Sequence, residues 1–329
     1  MGPMTERALI VTTHGGPEVL EVQERRRPRP GQGEVAVAVE AVGVNFIDVY
    51  LREGRYPSPT PFVLGTEGAG TVTAVGEGVD TGVEVGDRVG WAMVDGAAAT
   101  TATVPATRLV PVPDAVSAEQ AAAVLLQGMT AHYLVNDTFP VSAGDWTLVH
   151  AAAGGVGQLL TQLIVAKGAH VVATAGSSSK CEIAQSLGAE VTIDYSEVDD
   201  LASAVREATG GRGVDVAYDG VGAATFDASL ASLRPRGMLV LYGAASGPVP
   251  PFDLQRLNSG GSLFVTRPSL AHYVATREEL LERGNAVLDA VADGSLKVDI
   301  GGRWPLEEAQ DAYGTLESRA STGKLLLIP

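Results

Sequence analysis

Between Glu34 and Val39 apolar residues recur at every second position (Val35, Val37, Val39), the period of a strand with one buried face. From Gly65 to Gly90 eight glycines stand among Val, Thr and Ala. That texture predicts short strands with frequent turns rather than helices. The first ~125 residues therefore read as a compact, irregular β-rich domain. The basic, proline-rich run at 25–30 reads as an exposed loop between two strands.

The pattern changes near Pro111-Val112-Pro113-Asp114. Ser117 and Gln120 have the spacing of a helix capping box, and the alanine-rich run behind them is a strong helix former. Beyond it, strand and helix periods alternate. Strands are predicted at 146–150, 170–175, 214–218, 238–242 and 262–266. Helices are predicted at 155–167 and 179–187, the second stopping at Gly188 as a C′ glycine. Such alternation implies a doubly wound parallel sheet. Residues 277–292 read as an amphipathic helix, and 324–328 as a final apolar strand.

The length of 329 residues suits two domains rather than one. A single cysteine, Cys181, rules out an internal disulfide and a cysteine-based zinc cluster. The five histidines are His14, His132, His150, His170 and His272, with no spacing typical of ligands, so no metal is expected. A net charge of −16 disfavours nonspecific binding to nucleic acid or anionic membranes. No apolar run reaches the roughly 18 residues of a membrane span. Gln127, Lys167 and Asp48 interrupt the best candidates. The start, MGPMTER, lacks the regions of a signal peptide, and its Gly2-Pro3 reads as a cloning remnant. A cytoplasmic protein is the expectation.

The predicted strand at 146–150 runs into Ala151-Ala152-Ala153-Gly154-Gly155-Val156-Gly157 and then a helix. Ala152, Gly154 and Gly157 fall on the three small positions of the dinucleotide fingerprint. Small residues there let the backbone turn tightly against a diphosphate, which the helix N-terminus then stabilises. At the end of the following strand an NAD site usually has Asp or Glu for the ribose hydroxyls. This chain has Gly176-Ser177-Ser178-Ser179-Lys180 instead, hydroxyls and an ammonium suited to a 2′-phosphate. NADPH is the cofactor this favours. The plainer reading of Ser177 and Lys180 is a helix cap and a solvated charge.

Several further segments occur in order: His14-Gly15-Gly16-Pro17-Glu18-Val19-Leu20, Gly43-Val44-Asn45-Phe46-Ile47-Asp48, Gly65-Thr66-Glu67-Gly68-Ala69-Gly70 and Gly86-Asp87-Arg88-Val89. They continue with His150 to Gly157, Thr266-Arg267-Pro268-Ser269-Leu270 and Leu316-Glu317-Ser318-Arg319. With these motifs the sequence resembles the zinc-independent NADPH:quinone oxidoreductases, the quinone reductase and zeta-crystallin-like group of the medium-chain dehydrogenase/reductase superfamily. Almost the whole chain takes part. Where zinc-dependent relatives place a catalytic cysteine this chain has Asn45, and where they have Gly-His-Glu it has Gly65-Thr66-Glu67. The four-cysteine structural lobe is absent too.

The resemblance implies an α/β protein with a GroES-like β-rich domain and a Rossmann domain. The first part of the catalytic domain would cover 1–128, the NADPH domain 129–268, and a return segment 269–329. Cofactor contacts implied by the resemblance are Gly154, Gly155, Val156 and Gly157 at the pyrophosphate. Gly176, Ser177, Lys180, Tyr195 and Arg319 would surround the 2′-phosphate. Asn45, Thr130 and Tyr133 would lie near the nicotinamide. Gly220, Tyr242, Gly243, Ala244, Ala245, Phe264, Val265 and Thr266 would enclose the cofactor. Asn45, Tyr50 and Tyr56 are the candidates for the substrate pocket, as amide and phenol donors to a carbonyl and as rings that stack on a flat substrate. The resemblance also implies a homodimer paired through the edge strand at 262–266.

The implied activity is NADPH-dependent reduction of a quinone without a metal, with one-electron and hydride routes both open. An enone or alkenal reductase on the same scaffold is the near alternative, and would need a positioned tyrosine to protonate carbon. A crystallin-like structural role or RNA binding is the distant one. The net charge counts against RNA, and the retained phosphate-binding residues count against a purely structural role.

Overall fold

The computed structural model of the chain describes residues 5–329, so Gly2-Pro3 lies outside the described residues. The chain divides into two units: one comprises the sequence up to Met129 together with Tyr273–Pro329, the other is Thr130–His272.

The first unit begins with β1 (Thr5–Val11), β2 (Leu20–Arg26), β3 (Glu34–Gly43) and β4 (Phe62–Val63). It continues with β5 (Glu67–Val75), β6 (Arg88–Ala92), β7 (Thr101–Pro105) and β8 (Val110–Pro111). The predicted strand at 34–39 thus runs on to Gly43. Its side chains are buried on both faces in places, and β3 pairs with both β5 and β7. The run at 25–30 is a loop only from Arg27 onward, since β2 extends to Arg26. Ser117 and Gln120 form the expected capping box: Ser117 N–H donates to Gln120 Oε1 at 2.9 Å, and Gln120 N–H to Ser117 Oγ at 3.1 Å. The helix they start is Ala118–Tyr133.

The second unit holds β9 (Trp146–Val149), β10 (His170–Ala175), β11 (Val191–Asp194), β12 (Val214–Asp219), β13 (Leu233–Leu241) and β14 (Phe264–Thr266). They form one parallel sheet in the order β11-β10-β9-β12-β13-β14. Counted within the unit this is 3-2-1-4-5-6, the Rossmann order, with its switch point between β9 and β12. Leu148, Val172, Val214, Leu239 and Phe226 pack its core. The helices expected at 155–167 and 179–187 are Gly155–Ala166 and Ser178–Ser186. Gly188 has φ +99°, as a C′ glycine requires. Two strand boundaries differ from expectation by more than one residue. β13 starts five residues before Met238, at Leu233. β14 starts only at Phe264, after Ser262 at φ +59° has turned the chain.

The chain then returns to the first unit through the helix Arg277–Ala292, β15 (Ile300–Pro305) and β16 (Lys324–Ile328). β16 pairs with β15 on one side and β3 on the other, so the last strand lies inside the sheet β15-β16-β3-β5-β6-β8. The apolar run Leu325-Leu326-Leu327 suits this place. All three side chains are buried, with Leu325 and Leu327 in the same core as Trp91 and Tyr313.

Candidate active site

In the second unit the glycine loop follows β9, at the switch point. Ala151 takes φ +49° and Gly154 N–H donates back to Ala151 O at 2.9 Å, closing a tight turn. The helix Gly155–Ala166 starts at once. A Cβ on Gly157 would lie 2.4 Å from Ala151 O and 2.7 Å from Ala152 Cα, so only glycine lets this helix pack onto its own loop. The first N–H groups of a helix have no intrahelical acceptor and favour an anion. No acidic side chain occupies the first turn of this one.

Beneath the loop is a buried polar chain that sequence reasoning did not find. His150 contacts Thr174 Oγ1 through Nδ1 at 2.8 Å and Ser229 Oγ through Nε2 at 2.8 Å. Ser229 in turn donates to Asp219 Oδ2 at 2.7 Å. Asp219 also accepts from Val221 N–H at 2.8 Å, Gly222 N–H at 3.0 Å and Thr225 Oγ1 at 2.8 Å. The chain links the ends of β9, β10 and β12. Burial pushes the His150 imidazole below its usual value, with the Asp219 charge opposing the shift.

After β10, Ser177 caps the helix Ser178–Ser186, accepting from Lys180 N–H at 3.4 Å. The capping reading of Ser177 is therefore correct, and its hydroxyl also meets Ser179 Oγ at 3.1 Å. Gly176 lies against Tyr195: a Cβ on it would lie 2.4 Å from the phenol oxygen. Tyr195, Gly176, Ser177 and Lys180 thus gather at one turn, with Tyr195 and Gly176 exposed. Gly220 and Gly243 are packed backbone to backbone, since a Cβ on Gly243 would lie 2.4 Å from Gly220 O. Desolvation and the charge of Asp219 raise the Tyr242 phenol beyond the usual tyrosine range, so it stays protonated. Ala244 and Ala245 follow it, partly buried. Thr130 and Tyr133 are buried in this unit. Phe264 is 56% exposed on edge strand β14, with Val265 and Thr266 partly buried beside it.

In the first unit, Asn45 joins β3 to the helix Phe46–Arg52 and forms a capping box with Asp48. Its amide does not reach outward. Nδ2 donates to Gly43 O at 3.1 Å and to Glu67 Oε2 at 2.9 Å, so both hydrogens of the expected carbonyl donor are committed. Glu67 also accepts Leu126 N–H at 2.6 Å. Lys324, at the start of β16, donates from Nζ to Asn45 Oδ1 and Glu67 Oε2, both at 2.7 Å. Asn45, Glu67 and Lys324 are all buried. The sequence signal for Lys324 was a charge at the head of an apolar strand. Buried Asp48 accepts from Asn45 N–H at 3.0 Å, Thr66 Oγ1 at 2.9 Å and Tyr313 Oη at 3.0 Å. Burial still outweighs these donors and raises its carboxyl to about 6.

Tyr50 is buried and meets the 42% exposed Tyr56 edge to face at 5.5 Å, with the Arg55 guanidinium 5.6 Å from the Tyr50 ring centre. Arg319 is exposed and follows the helix Ala309–Glu317 at φ +59°. Among the described residues no three His, Cys, Asp or Glu side chains cluster as metal ligands. A cavity of about 410 Å³ in this unit is lined by Arg88, Leu109 and Arg277 among others, and by none of the expected site residues.

The family described as alcohol dehydrogenase GroES-like domain matches residues 31–114, and that described as zinc-binding dehydrogenase matches residues 155–282. The quinone oxidoreductase of Salmonella typhimurium is 46% identical over 320 residues, covering 96% of this chain and 97% of its own. A mycobacterial protein solved in complex with NADPH is 50% identical with a TM-score of 0.95, covering 98% of this chain and 100% of the other. The Escherichia coli quinone oxidoreductase solved in complex with NADPH is 43% identical, also at TM-score 0.95, covering 99% of this chain and 100% of the other.

Proposed function

The chain belongs to the quinone oxidoreductases of the medium-chain dehydrogenase/reductase superfamily, and from that membership we propose that it uses NADPH to reduce quinones without a metal. The observation that carries the reading is the glycine cradle at the switch point, where a Cβ on Gly157 would strike the loop backbone at 2.4 Å. A tight glycine turn that opens a helix at the switch point suits a diphosphate.

Bound NADPH supplies the reducing equivalents, and the residues of the chain bind it, orient it and exclude water. The N–H groups of Gly155, Val156 and Gly157 hold the pyrophosphate. Ser177, Lys180 and Tyr195, together with Arg319, hold the 2′-phosphate by charge-assisted bonds. Asn45, Thr130 and Tyr133 serve the nicotinamide end. Gly220, Tyr242, Gly243, Ala244 and Ala245, with Phe264 to Thr266, enclose the cofactor. Tyr50 and Tyr56 supply the rings on which a flat substrate stacks. A quinol leaves as an anion and collects protons from solvent, which lessens the need for a dedicated acid.

Strand β14 pairs only with β13 among the described residues and carries the exposed Phe264. An unpaired apolar edge favours pairing with a second copy, which supports a homodimer. Among the described residues no helix is long and apolar enough to cross a membrane. A cytoplasmic location fits a chain with one buried free cysteine.

The test is oxidation of NADPH and NADH across a panel of quinones and enones, with metal analysis of the same sample. Quinone turnover with NADPH and no stoichiometric zinc is expected. Turnover of enones alone, or activity lost with a chelated metal, overturns the reading. Tyr56→Phe should leave quinone turnover unchanged, whereas an enone reductase using Tyr56 as its acid would lose activity.

A further inference from the structure

We propose that the ammonium of Lys324 donates its third hydrogen to the substrate oxygen on which negative charge gathers during reduction, which makes Lys324 a catalytic residue. The proposal rests on the quinone-reduction reading above and names the electrophile that this reading lacks.

Both amide hydrogens of Asn45 are taken, by Gly43 O and Glu67 Oε2. The hydroxyls of Thr66 and Tyr313 are taken by Asp48. The backbone N–H of Asn45 is taken by Asp48, and that of Leu126 by Glu67. Lys324 spends two hydrogens, on Asn45 Oδ1 and Glu67 Oε2. Its third has no acceptor among the described residues. The side chain is 2% exposed, so bulk water does not readily serve it. A buried charged donor left unmet is costlier than a neutral one, and a site keeps such a group where a ligand completes it.

The chemistry of the substrate matches this donor. When a quinone carbonyl gains electrons its oxygen becomes an oxyanion, and a fixed cationic donor in a dry site stabilises that charge more than the neutral carbonyl. Glu67 and Asn45 hold the ammonium in place by two bonds of 2.7 Å, so it needs little reorganisation to act. Gly43 makes the arrangement possible, because a Cβ there would lie 2.2 Å from Glu67 Oε2.

The experiment uses the whole protein saturated with NADP⁺ and titrates bound 4-nitrophenol, an oxyanion analogue whose colour reports its ionisation. The bound dye should ionise at least about one pH unit below the free dye. Lys324→Met should abolish that shift and lower kcat about 10²–10³-fold. NADPH affinity, read by fluorescence, should stay unchanged, and Lys324→Arg should recover part of both losses. If Lys324→Met does not fold, the double variant Glu67→Gln/Lys324→Met removes the charge pair together and is read the same way. The titration of the native protein needs no variant. A native protein that fails to bind the dye, or binds it without lowering its pKa, overturns the proposal, as does a Lys324→Met variant with native kcat. Absence of quinone turnover by the native protein overturns the quinone reading instead, while the dye still decides whether Lys324 faces an oxyanion.

Discussion

His150 donates from Nε2 to the hydroxyl of Ser229 across 2.8 Å, and can do so because Ser229 gives its own hydrogen to Asp219. The direction of that one bond fixes the rest. Neutral His150 with hydrogen on Nε2 has Nδ1 left as an acceptor, so Thr174 Oγ1 donates to it. Every hydrogen in the chain runs from β10 toward Asp219, and the imidazole has one tautomer compatible with its surroundings.

Ser229→Ala should therefore cost about 1–3 kcal/mol, because it leaves His150 Nε2–H without an acceptor and takes one donor from Asp219. Urea denaturation gives the value. A change within a few tenths of a kcal/mol would mean that the chain is not under tension from unmet groups. The His150 pKa is depressed by burial, so the unfolded chain binds a proton that the native one resists as pH falls below about 6.5. Stability from this group is present above that pH and declines below it.

Asp48 acts in the opposite sense. Its carboxyl is raised to about 6 in the folded protein, chiefly by burial. The native state thus keeps a proton that the unfolded state gives up near the ordinary aspartate value. Its contribution is full below that value and is lost as pH rises through about 6. The rise to about 6 corresponds to about 3 kcal/mol. Asp48→Asn should flatten this segment of the stability curve between about pH 4 and pH 7, whatever its absolute cost. Identical slopes in denaturation of native and variant protein would rule the assignment out.

Lys180→Ala should weaken NADPH by about 10- to 100-fold, the worth of one charge-assisted bond, and leave NADH nearly unchanged. Fluorescence titration with both cofactors distinguishes this from a fold defect, which would weaken them alike.

Gly157→Ala tests the cradle without touching a charge. The added methyl meets backbone at 2.4 Å on Ala151 and 2.7 Å on Ala152, neither of which can swing aside like a side chain. NADPH binding should fall at least about tenfold, since the loop must move away from the geometry that accepts a diphosphate. Unchanged affinity would show that the diphosphate lies elsewhere.

Phe264→Asp places a charge on the exposed edge of β14. Sedimentation velocity should show a dimer for the native protein and a monomer for the variant, as negative charge on an edge strand blocks pairing. A dimer in both samples would put the interface on another surface.

Much of the second unit was legible because its elements announce themselves by period and by glycine. The strand at His170–Ala175 and the stop at Gly188 depend on local pattern alone. The strand Val191–Asp194 and the helices Leu201–Ala208 and Phe226–Ser232 were missed, since each is too short to show a sustained period. The helix Arg277–Ala292 was found with both ends correct, although its Thr276–Glu279 capping box went unused. The candidate site divides in the same way. The phosphate-binding turns are contiguous in sequence and could be read directly. Lys324 stands 257 positions from Glu67 and 279 from Asn45, so no local pattern joins them. Asn45 was chosen as an outward donor, and only the arrangement around it reveals that its hydrogens are spent inside.

The interior position of β16 also sets an order on biosynthesis. A chain that emerges from the ribosome amino end first presents Asn45 and Glu67 early, yet their cation follows only 279 and 257 positions later, at Lys324. Until then β3 lacks its neighbour on that side, and a carboxylate destined for burial has no counter-charge. The Thr130–His272 unit is continuous and has all its strands by then. The Thr130–His272 unit can mature during translation before Lys324 is made, whereas the unit that holds Asn45 and Glu67 must wait for it, so a stop codon just ahead of Lys324 would spare the first and disable the second.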